Sequence, residues 1–418
     1  MKAGWLAGWL LLSSVAFGQK VLIPMDLRQT DHLKAYGVAY WVLKNGINVE
    51  WLLNYSGGAF MTDYSPALER ELRVRGVSFV PVNGAEAAQI YSVIERENMD
   101  VMLLEKAPNI AIYAPPNKQA WDDAVLLALD YAEIPYETVW DEEVLNHSLE
   151  KFDWLHLHHE DFTGQYGKFY ANYRNAEWYQ DEVRKNEAAA KRLGYGKVSL
   201  LKRAVAQTIK EYVAGGGFLF AMCSATDTYD IALAAGSVDI VDAVFDGDGV
   251  DPAAQAKLDF SQTFAFTDFH LEFNPLVYEY SDIDIPPSHA PVLRGAEADY
   301  FTLFEFSAKY DPVPTMLTQN HVSAIKGFMG QTTGYHRSRI KKTVVLLGEA
   351  VGTDQVKYLH GNWGRGTFTF YGGHDPEDYQ HFVNDPPTQL ALHKNSPGYR
   401  LILNNILFPA AKKKEQKT

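Results

Sequence analysis

The stretch Gly217–Asp227, GFLFAMCSATD, places a buried strand directly before a helix. Its first seven residues are continuously apolar, which is typical of a strand covered on both faces, and residues 224–235 follow as a predicted helix. A side chain at such a junction lies at the carboxyl edge of a sheet, where helix N–H groups stabilise a thiolate or a developing oxyanion. Cys223 is therefore a candidate nucleophile, with Ser224 as a candidate binding residue. The alternative is a small buried cysteine that only packs.

Outward from this junction, short apolar runs alternate with helical patterns. The runs include KVLIPM (20–25), NVEWLLN (48–54), NIAIYAP (109–115), FDWLHLHH (152–159), KTVVLLGEA (342–350) and GRGTFTFYGGH (364–374). Strands that alternate with helices predict βαβ units and a largely parallel sheet. The predicted fold class is therefore α/β, with a mainly parallel, flavodoxin-like sheet and helices on both faces.

The same pattern divides the chain into regions. We predict a signal peptide at 1–18, an N-terminal α/β region at 19–107 and a main α/β domain at 108–410. The main domain carries a polar, aromatic and helical insertion at about 165–200. A second insertion of mixed structure, at about 240–340, breaks the alternation, and residues 411–418 form a charged tail.

The first 18 residues predict export. Lys2 precedes an apolar run at 5–17 that is too short to span a bilayer, and small residues, Ala16 and Gly18, precede the cleavage point before Gln19. No later stretch is long and apolar enough for a membrane span. We expect a periplasmic or secreted protein with no integral membrane segment after signal removal; the alternative is a buried N-terminal helix.

Charge and cysteine content limit the partners and the means of stabilisation. The 38 Lys and Arg against 52 Asp and Glu give a formal net charge of −14, which repels nucleic-acid phosphates. We therefore expect a small-molecule substrate and no nucleic acid, and the oligomeric state stays open. The single cysteine cannot form an internal disulfide, so the core alone stabilises the fold.

A second candidate group follows a later predicted strand. The stretch Tyr371–Tyr379, YGGHDPEDY, delivers His374 to a loop that contains Asp375, Glu377 and Asp378. An imidazole acts as a general base when a carboxylate fixes its tautomer and supports the imidazolium. We therefore expect His374 to be a catalytic base whose acidic partner is Asp375, Glu377, Asp378 or a member of the Glu160–Asp161 loop. The alternative is a loop in which the His and Asp only cap the turn.

The order of these pieces resembles the class I glutamine amidotransferase-like superfamily, over roughly residues 108–235 and 340–410. In that superfamily a Cys stands at a strand–helix junction and a later strand carries a His-Pro-Glu. The resemblance implies the superfamily's α/β fold, with Cys223 as nucleophile, His374 as base and Glu377 as the third member.

At the level of the whole chain, the sequence looks like an exported, Bacteroidota-type family often named asparagine synthetase B. The segments that carry this likeness are KVLIPMDLRQTDHLKAYGVAYW, HLHHEDFTGQYGKFY and FAMCSATDTYDIALA. An ATP-dependent asparagine synthetase has a Ser-Gly-Gly-x-Asp-Ser loop for pyrophosphate. Here Ser56-Gly57-Gly58 is followed by Phe60 and Met61 at the Asp and Ser positions, so we expect the family name to apply without the ATP-dependent site.

The stretch LHLHHEDFTG (155–164) is a third candidate. It looks like the Leu-His-His strand end of trehalose-utilisation-type members of the same superfamily, and it presents His158, His159, Glu160 and Asp161 at a strand end. Histidines and acids together bind Zn²⁺ or a similar ion. The first three residues are thus candidate metal ligands, and all four are candidate binding residues. The alternative is a hydrogen-bonded rim without a metal.

Two functions follow from these groups. The first is a hydrolase or amidotransferase-like enzyme that uses Cys223 and His374 on a small amide or ester and requires no cofactor. The second is a non-catalytic or metal-assisted ligand-binding protein, whose site would be formed by His158, His159, Glu160 and His374 at the carboxyl edge of the sheet. The first function requires direct or one-water contact between the thiol and the imidazole, with roughly 2.6–3.2 Å for a direct hydrogen bond.

Overall fold

The computed structural model describes residues 19–116, 123–285, 296–311, 315–382 and 385–411. The predicted signal peptide at 1–18 and residues 412–418 of the predicted tail lie outside these described residues. Within the described ranges, no helix is both long enough and apolar enough to cross a membrane.

The helices of the described residues begin in several cases at a polar capping residue. Side chains of Asp31, Ser65 and Asp123 accept backbone N–H groups at the starts of the first, second and fourth helices. The helices are α1 (His32–Lys44), α2 (Pro66–Arg75), α3 (Gly84–Arg96), α4 (Ala124–Ala132), α5 (Asp141–Leu145), α6 (Tyr170–Tyr173), α7 (Glu177–Arg192), α8 (Val198–Ala214), α9 (Ala225–Ala234), α10 (Ala243–Asp246) and α11 (Pro397–Leu407).

The strands of the described residues form two sheets. They are β1 (Lys20–Ile23), β2 (Val49–Leu53), β3 (Ala59–Asp63), β4 (Val80–Val82), β5 (Asp100–Leu104), β6 (Ile110–Tyr113), β7 (Glu137–Val139), β8 (Trp154–Leu157), β9 (Phe218–Met222), β10 (Tyr300–Leu303), β11 (Ala324–Lys326), β12 (Tyr335–His336), β13 (Val345–Glu349), β14 (Gln355–Trp363) and β15 (Gly366–Tyr371).

The N-terminal sheet is antiparallel, with the strand order β4-β1-β3-β2-β5. A short turn at 54–58 joins β2 to β3. Its Gly57 has a φ of 73°, and a Cβ there would lie 2.4 Å from the carbonyl oxygen of Met25. A connection this short allows only an antiparallel hairpin, because parallel strands need a long crossover. The Ser56-Gly57-Gly58 segment is therefore a hairpin turn.

The second sheet is mixed. Strands β7, β6, β8, β9 and β15 lie side by side and parallel. Strands β14, β13, β10 and β11 extend the sheet beyond β15 with antiparallel pairing, and β12 pairs with β14.

These two sheets correct the predicted fold class. The expectation of a mainly parallel, flavodoxin-like or class I glutamine amidotransferase-like sheet is wrong, because one sheet is antiparallel and the other is mixed. The sequence pattern does not predict β14, whose polar and apolar residues are mixed (QVKYLHGNW), and a short turn through Gly364 (φ 60°) makes β14 and β15 a hairpin. The predicted insertion at 240–340 supplies β10, β11 and β12.

Two apolar cores cover the two faces of the mixed sheet. The first core contains residues of α1, α4 and α11 and of both sheets, including Phe220 and Met222 of β9. The second core contains residues of α8 and α9 on the opposite face, including Leu219 and Ala221 of β9. Alternate residues of β9 thus point to opposite cores, as the pleat of a strand requires.

Candidate functional site

Three neighbouring parallel strands end at one edge of the mixed sheet and carry the predicted site residues. His158 follows β8, Cys223 follows β9, and His374 lies three residues after the end of β15. Ligands of open α/β sheets bind outside the carboxyl ends of the strands. The structure therefore brings the separate candidate segments to one edge.

Three histidines converge at this edge. His158, His159 and His374 each offer one nitrogen, and these nitrogens lie within 4.8 Å of one another. The ring centroids are 5.2 Å apart for His158 and His159, 4.5 Å for His158 and His374, and 6.0 Å for His159 and His374. We call these three residues the histidine centre. Imidazole nitrogens suit Zn²⁺, Cu²⁺, Fe²⁺ and Ni²⁺.

Asp123 lies directly behind the histidine centre. Its Oδ1 is 3.2 Å from His158 Nδ1, and its Oδ2 is 3.3 Å from His156 Nε2. Burial disfavours the ionised carboxylate, but His158 and then His156 hold the pKa of Asp123 well below its usual range. A carboxylate in this position fixes the tautomer and orientation of an imidazole that binds a metal through its other nitrogen.

Backbone contacts place His374. Its N–H donates to the carbonyl oxygen of Met329 at 2.8 Å. The preceding Gly373 has a φ of 106°, and a Cβ there would lie 2.3 Å from the Phe328 ring, so glycine is required. The His374 side chain is buried, and its Nδ1 has no hydrogen-bond partner among the described residues. Burial and the neighbouring imidazoles lower the pKa of His374 well below its usual value, so the ring is in the neutral form that binds metals.

The acids predicted to support His374 have other partners. Asp375 Oδ2 accepts a hydrogen bond from the Tyr399 hydroxyl at 2.9 Å. Glu377 Oε2 lies 2.8 Å from His393 Nδ1. Asp375 therefore ties the loop to α11, and Glu377 ties it to the segment that leads into α11.

The acids after β8 stabilise their own loop. Glu160 Oε2 accepts the backbone N–H of His158 at 3.0 Å. Asp161 accepts three backbone N–H groups from residues 163–167. The group of possible metal ligands around His158 contains His374 and does not contain the carboxylate of Glu160.

Cys223 has the backbone of a nucleophile elbow in a buried environment. Its φ is 48°, in the left-handed region, and its Sγ accepts the Gln331 N–H at 3.3 Å. The side chain is 1% exposed, and burial raises the pKa of the thiol to about 11. A thiol with this pKa is protonated at neutral pH and is a weak nucleophile. The neighbouring Ser224 is also buried, and its Oγ has no hydrogen-bond partner within the described segments.

The thiol and the imidazoles have different contacts. His156 stacks on Phe220 of the first core, with ring centroids 5.7 Å apart, and Asp123 contacts both His156 and His158. Cys223 follows the end of β9 with a left-handed backbone, and its sulfur contacts the Gln331 N–H. The charged groups around the two sites differ accordingly.

Two carboxyl groups accompany Cys223. Asp227 Oδ1 accepts the Thr332 hydroxyl, and Asp284 Oδ1 accepts the Thr333 N–H, both at 2.9 Å. The second oxygen of each carboxyl has no hydrogen-bond partner in the described part of the chain. Burial raises the pKa of Asp227 to about 7 and, together with Asp227, raises that of Asp284 well above its usual value. We call Cys223, Asp227 and Asp284 the thiol region.

Sequence reasoning missed Asp123 and His381 as members of the site. Asp123 directly precedes an apolar helix, which signals a helix cap but not a partner for a histidine. The His381 ring stacks on the His374 ring, with centroids 4.4 Å apart and an angle of 4° between the planes. Its place seven residues after His374 would be the same face of a helix, but residues 374–381 form a loop, so the helical period did not apply and no local pattern assigned it.

Comparisons with known proteins identify no family. No protein-family model matches the chain, and no curated protein matches it. Two cytoplasmic proteins of Salmonella typhimurium, STM3548 and STM1381, align over 73% of this chain and 100% of their own, with 11% and 12% identity and TM-scores of 0.34 and 0.32. The GH42 β-galactosidase Gan42B aligns over 64% of this chain and 28% of its own, with 11% identity and a TM-score of 0.27. Likenesses this weak support no conclusion about function.

Proposed function

We propose that the histidine centre holds a divalent transition-metal ion and that the protein uses this ion to bind a small molecule. The observation that carries this proposal is the convergence of three imidazole nitrogens within 4.8 Å, from two strand ends that are far apart in sequence. A buried imidazole nitrogen without a hydrogen-bond partner, as at His374, costs free energy unless a ligand satisfies it.

The donor set fits an ion such as Zn²⁺. Zinc–nitrogen bonds of 2.0–2.1 Å in a tetrahedral site place neighbouring nitrogens about 3.3 Å apart, so small ring rotations would close the centre. Asp123 faces Nδ1 of His158, and Nε2 would therefore be the ligating nitrogen. Three protein ligands leave one coordination position for water or substrate.

The open position defines the chemistry we propose. A metal ion in such a site polarises a carbonyl oxygen and lowers the pKa of a bound water to about 7. A small amide or ester, which has a carbonyl oxygen to offer, is therefore the substrate class we propose. The chain's own residues hold the ion and, through Asp123, orient the His158 ring.

Thiol-dependent hydrolysis by Cys223 is a second candidate. The left-handed backbone at Cys223 and the Gln331 N–H at its sulfur favour this role, because a strand–helix elbow presents a nucleophile in this way. The pKa of about 11 favours the protonated thiol instead. We expect alkylation of native Cys223 to be many-fold slower than in unfolded protein. Equal rates, together with loss of turnover on alkylation, would support the thiol hydrolase over the metal site.

We also propose that the protein works outside the inner membrane. The charged and apolar pattern of residues 1–18 and the single cysteine of the chain support export. Intact-mass measurement on protein from the periplasm or medium would test this, with an N-terminus at Gln19 as the expected result. Retention of residues 1–18 in a cytosolic protein would contradict it.

Metal analysis tests the main proposal. Protein purified without added metal should contain a transition metal or should bind Zn²⁺ stoichiometrically on titration. His159→Gln and His374→Gln should each remove this tight binding. His360→Gln is the matched control, because His360 is also buried, with Nδ1 2.8 Å from the Thr369 hydroxyl, but lies outside the centre. Wild-type protein that neither contains nor binds a transition metal would contradict the proposal.

A further inference from the structure

A second group of metal-ligand type lies beside the histidine centre. Asp378, His381 and Asp385 each offer one donor atom, and these atoms lie within 4.8 Å of one another. His381 Nδ1 is 3.0 Å from Asp378 Oδ2. All three residues are partly buried, whereas two of the three members of the histidine centre are fully buried.

The second group packs directly against the histidine centre. The His381 ring lies parallel to the His374 ring, with centroids 4.4 Å apart. One backbone residue fixes the loop that carries them at two points. The N–H of Met329 donates to the carbonyl oxygen of Tyr379, and the carbonyl oxygen of Met329 accepts from His374, both at 2.8 Å. The second group is therefore held against the histidine centre by the fold.

The charge of the second group is not balanced by a basic side chain. Within the described segments, no Lys or Arg forms a salt bridge with Asp378 or Asp385. Asp385 Oδ2 accepts the N–H of Phe382 at 2.7 Å, and this contact brings no positive charge. Two carboxylates beside an imidazole attract a divalent cation.

We propose that Asp378, His381 and Asp385 form a second divalent-cation site. The protein then carries two ions in total, one on each side of the stacked His374–His381 pair. This inference rests on the proposed function, since it assigns a second ion to the same site. Two carboxylates and one imidazole form a harder donor set than three imidazoles. The second site therefore prefers Mn²⁺, Fe²⁺ or Zn²⁺ and, because it is less buried, exchanges its ion faster than the histidine centre.

The experiment is a titration of metal-free, full-length protein with Zn²⁺ and, separately, Mn²⁺, read as bound equivalents by equilibrium dialysis. Wild-type protein should bind two equivalents of Zn²⁺. Asp385→Asn, which preserves shape, and His381→Phe, which preserves the ring stack, should each bind one. Asp354→Asn is the matched control. Asp354 also pairs with an imidazole, since its Oδ2 lies 2.9 Å from His336 Nδ1, but this pair lies away from the loop.

Each outcome decides between the two proposals. Loss of one equivalent in both loop variants, with two retained in the control, supports the second site. One equivalent in wild type that persists in Asp385→Asn and His381→Phe but disappears in His374→Gln overturns the second site and leaves the histidine centre standing. Two equivalents that persist in both loop variants also overturn it. No bound metal in wild type overturns both proposals.

Discussion

The histidine centre and the thiol region occupy the same edge of one sheet, yet their chemistry differs. In the histidine centre, a neutral His374 faces two further imidazoles, and an ionised Asp123 stands behind them. In the thiol region, burial keeps a proton on Cys223 and raises the pKa of Asp227 to about 7. The side chain at a strand end takes its chemistry from burial and from the groups packed around it.

Burial has opposite consequences for the side chains of the two regions. Imidazole is a metal ligand when neutral, so desolvation prepares the histidine centre for a cation. A thiol or carboxyl is reactive or attractive to cations when ionised, so desolvation makes the thiol region inert. The same loss of water therefore favours function in one region and opposes it in the other.

The largest expected effect concerns the pH dependence of stability, and it belongs to the thiol region. Because the pKa of Asp227 is raised to about 7 in the folded protein, its proton is kept between pH 4 and 7 while the unfolded chain releases it. The stability that this group contributes is therefore fully present below about pH 4 and is lost as the pH rises through about 7, by on the order of 3–4 kcal/mol. Asp227→Asn keeps an acceptor for Thr332 and should remove this component from urea unfolding measured across the range. An unchanged pH slope in the variant would contradict the burial we describe.

The next effect is stabilisation by metal, which belongs to the histidine centre. An ion that binds only the folded protein stabilises it by about 2.7 kcal/mol when its free concentration is 100 times Kd. Thermal unfolding with and without Zn²⁺ should show this shift in wild type and in Cys223→Ala. His374→Gln should keep only the smaller shift that the Asp378, His381 and Asp385 group provides. An undiminished shift in His374→Gln would place the stabilising ion outside the histidine centre.

A smaller effect is expected from the carboxylate behind the centre. Asp123→Asn keeps the helix cap, since asparagine accepts the N–H groups of Val125 and Leu126 equally well, but it removes the charge next to His158. We expect metal affinity to fall about 10–100-fold, together with a loss of stability without metal, because the buried carboxylate also contacts His156 and His158. Asp242→Asn, at the capping position of α10, is the control. Equal affinities in both variants would mean that Asp123 only caps its helix.

The smallest effect concerns the strained backbone at Cys223. Its φ of 48° costs a non-glycine residue about 1–2 kcal/mol, so Cys223→Gly should be about 1 kcal/mol more stable than Cys223→Ala in urea unfolding. Both variants should bind as much metal as wild type. If either variant bound less metal than wild type, the thiol region would be coupled to the histidine centre, which would contradict our description of two separate regions.

Sequence pattern predicts the junction at the centre of the fold well. The predicted strand at 217–223 and helix at 224–235 correspond to β9 (Phe218–Met222) and α9 (Ala225–Ala234), because a continuous apolar run and a helical period are local properties. Strand direction is decided elsewhere. The turn at 54–58 and the turn through Gly364 make hairpins, and neither strand composition nor alternation with helices reveals this.

The site shows the same limit. Residue type singles out His158, His159 and His374, because histidines next to acids at strand ends are visible in the sequence. Sequence adjacency also favours Glu160 as a ligand, but its carboxylate turns back to the N–H of His158. Spatial order in the sheet, which brings His374 to His158 across β9, depends on long-range pairing that no local pattern encodes.

The most direct test is anomalous X-ray scattering at the zinc absorption edge, from crystals of the protein soaked in Zn²⁺. We predict a strong peak within bonding distance, roughly 2.0–2.1 Å, of one nitrogen from each of His158, His159 and His374, with the Cys223 sulfur outside the coordination sphere. A centre that stays empty at saturating Zn²⁺, or an ion bound to the Cys223 thiolate, would contradict the separation of the two regions and the function we propose.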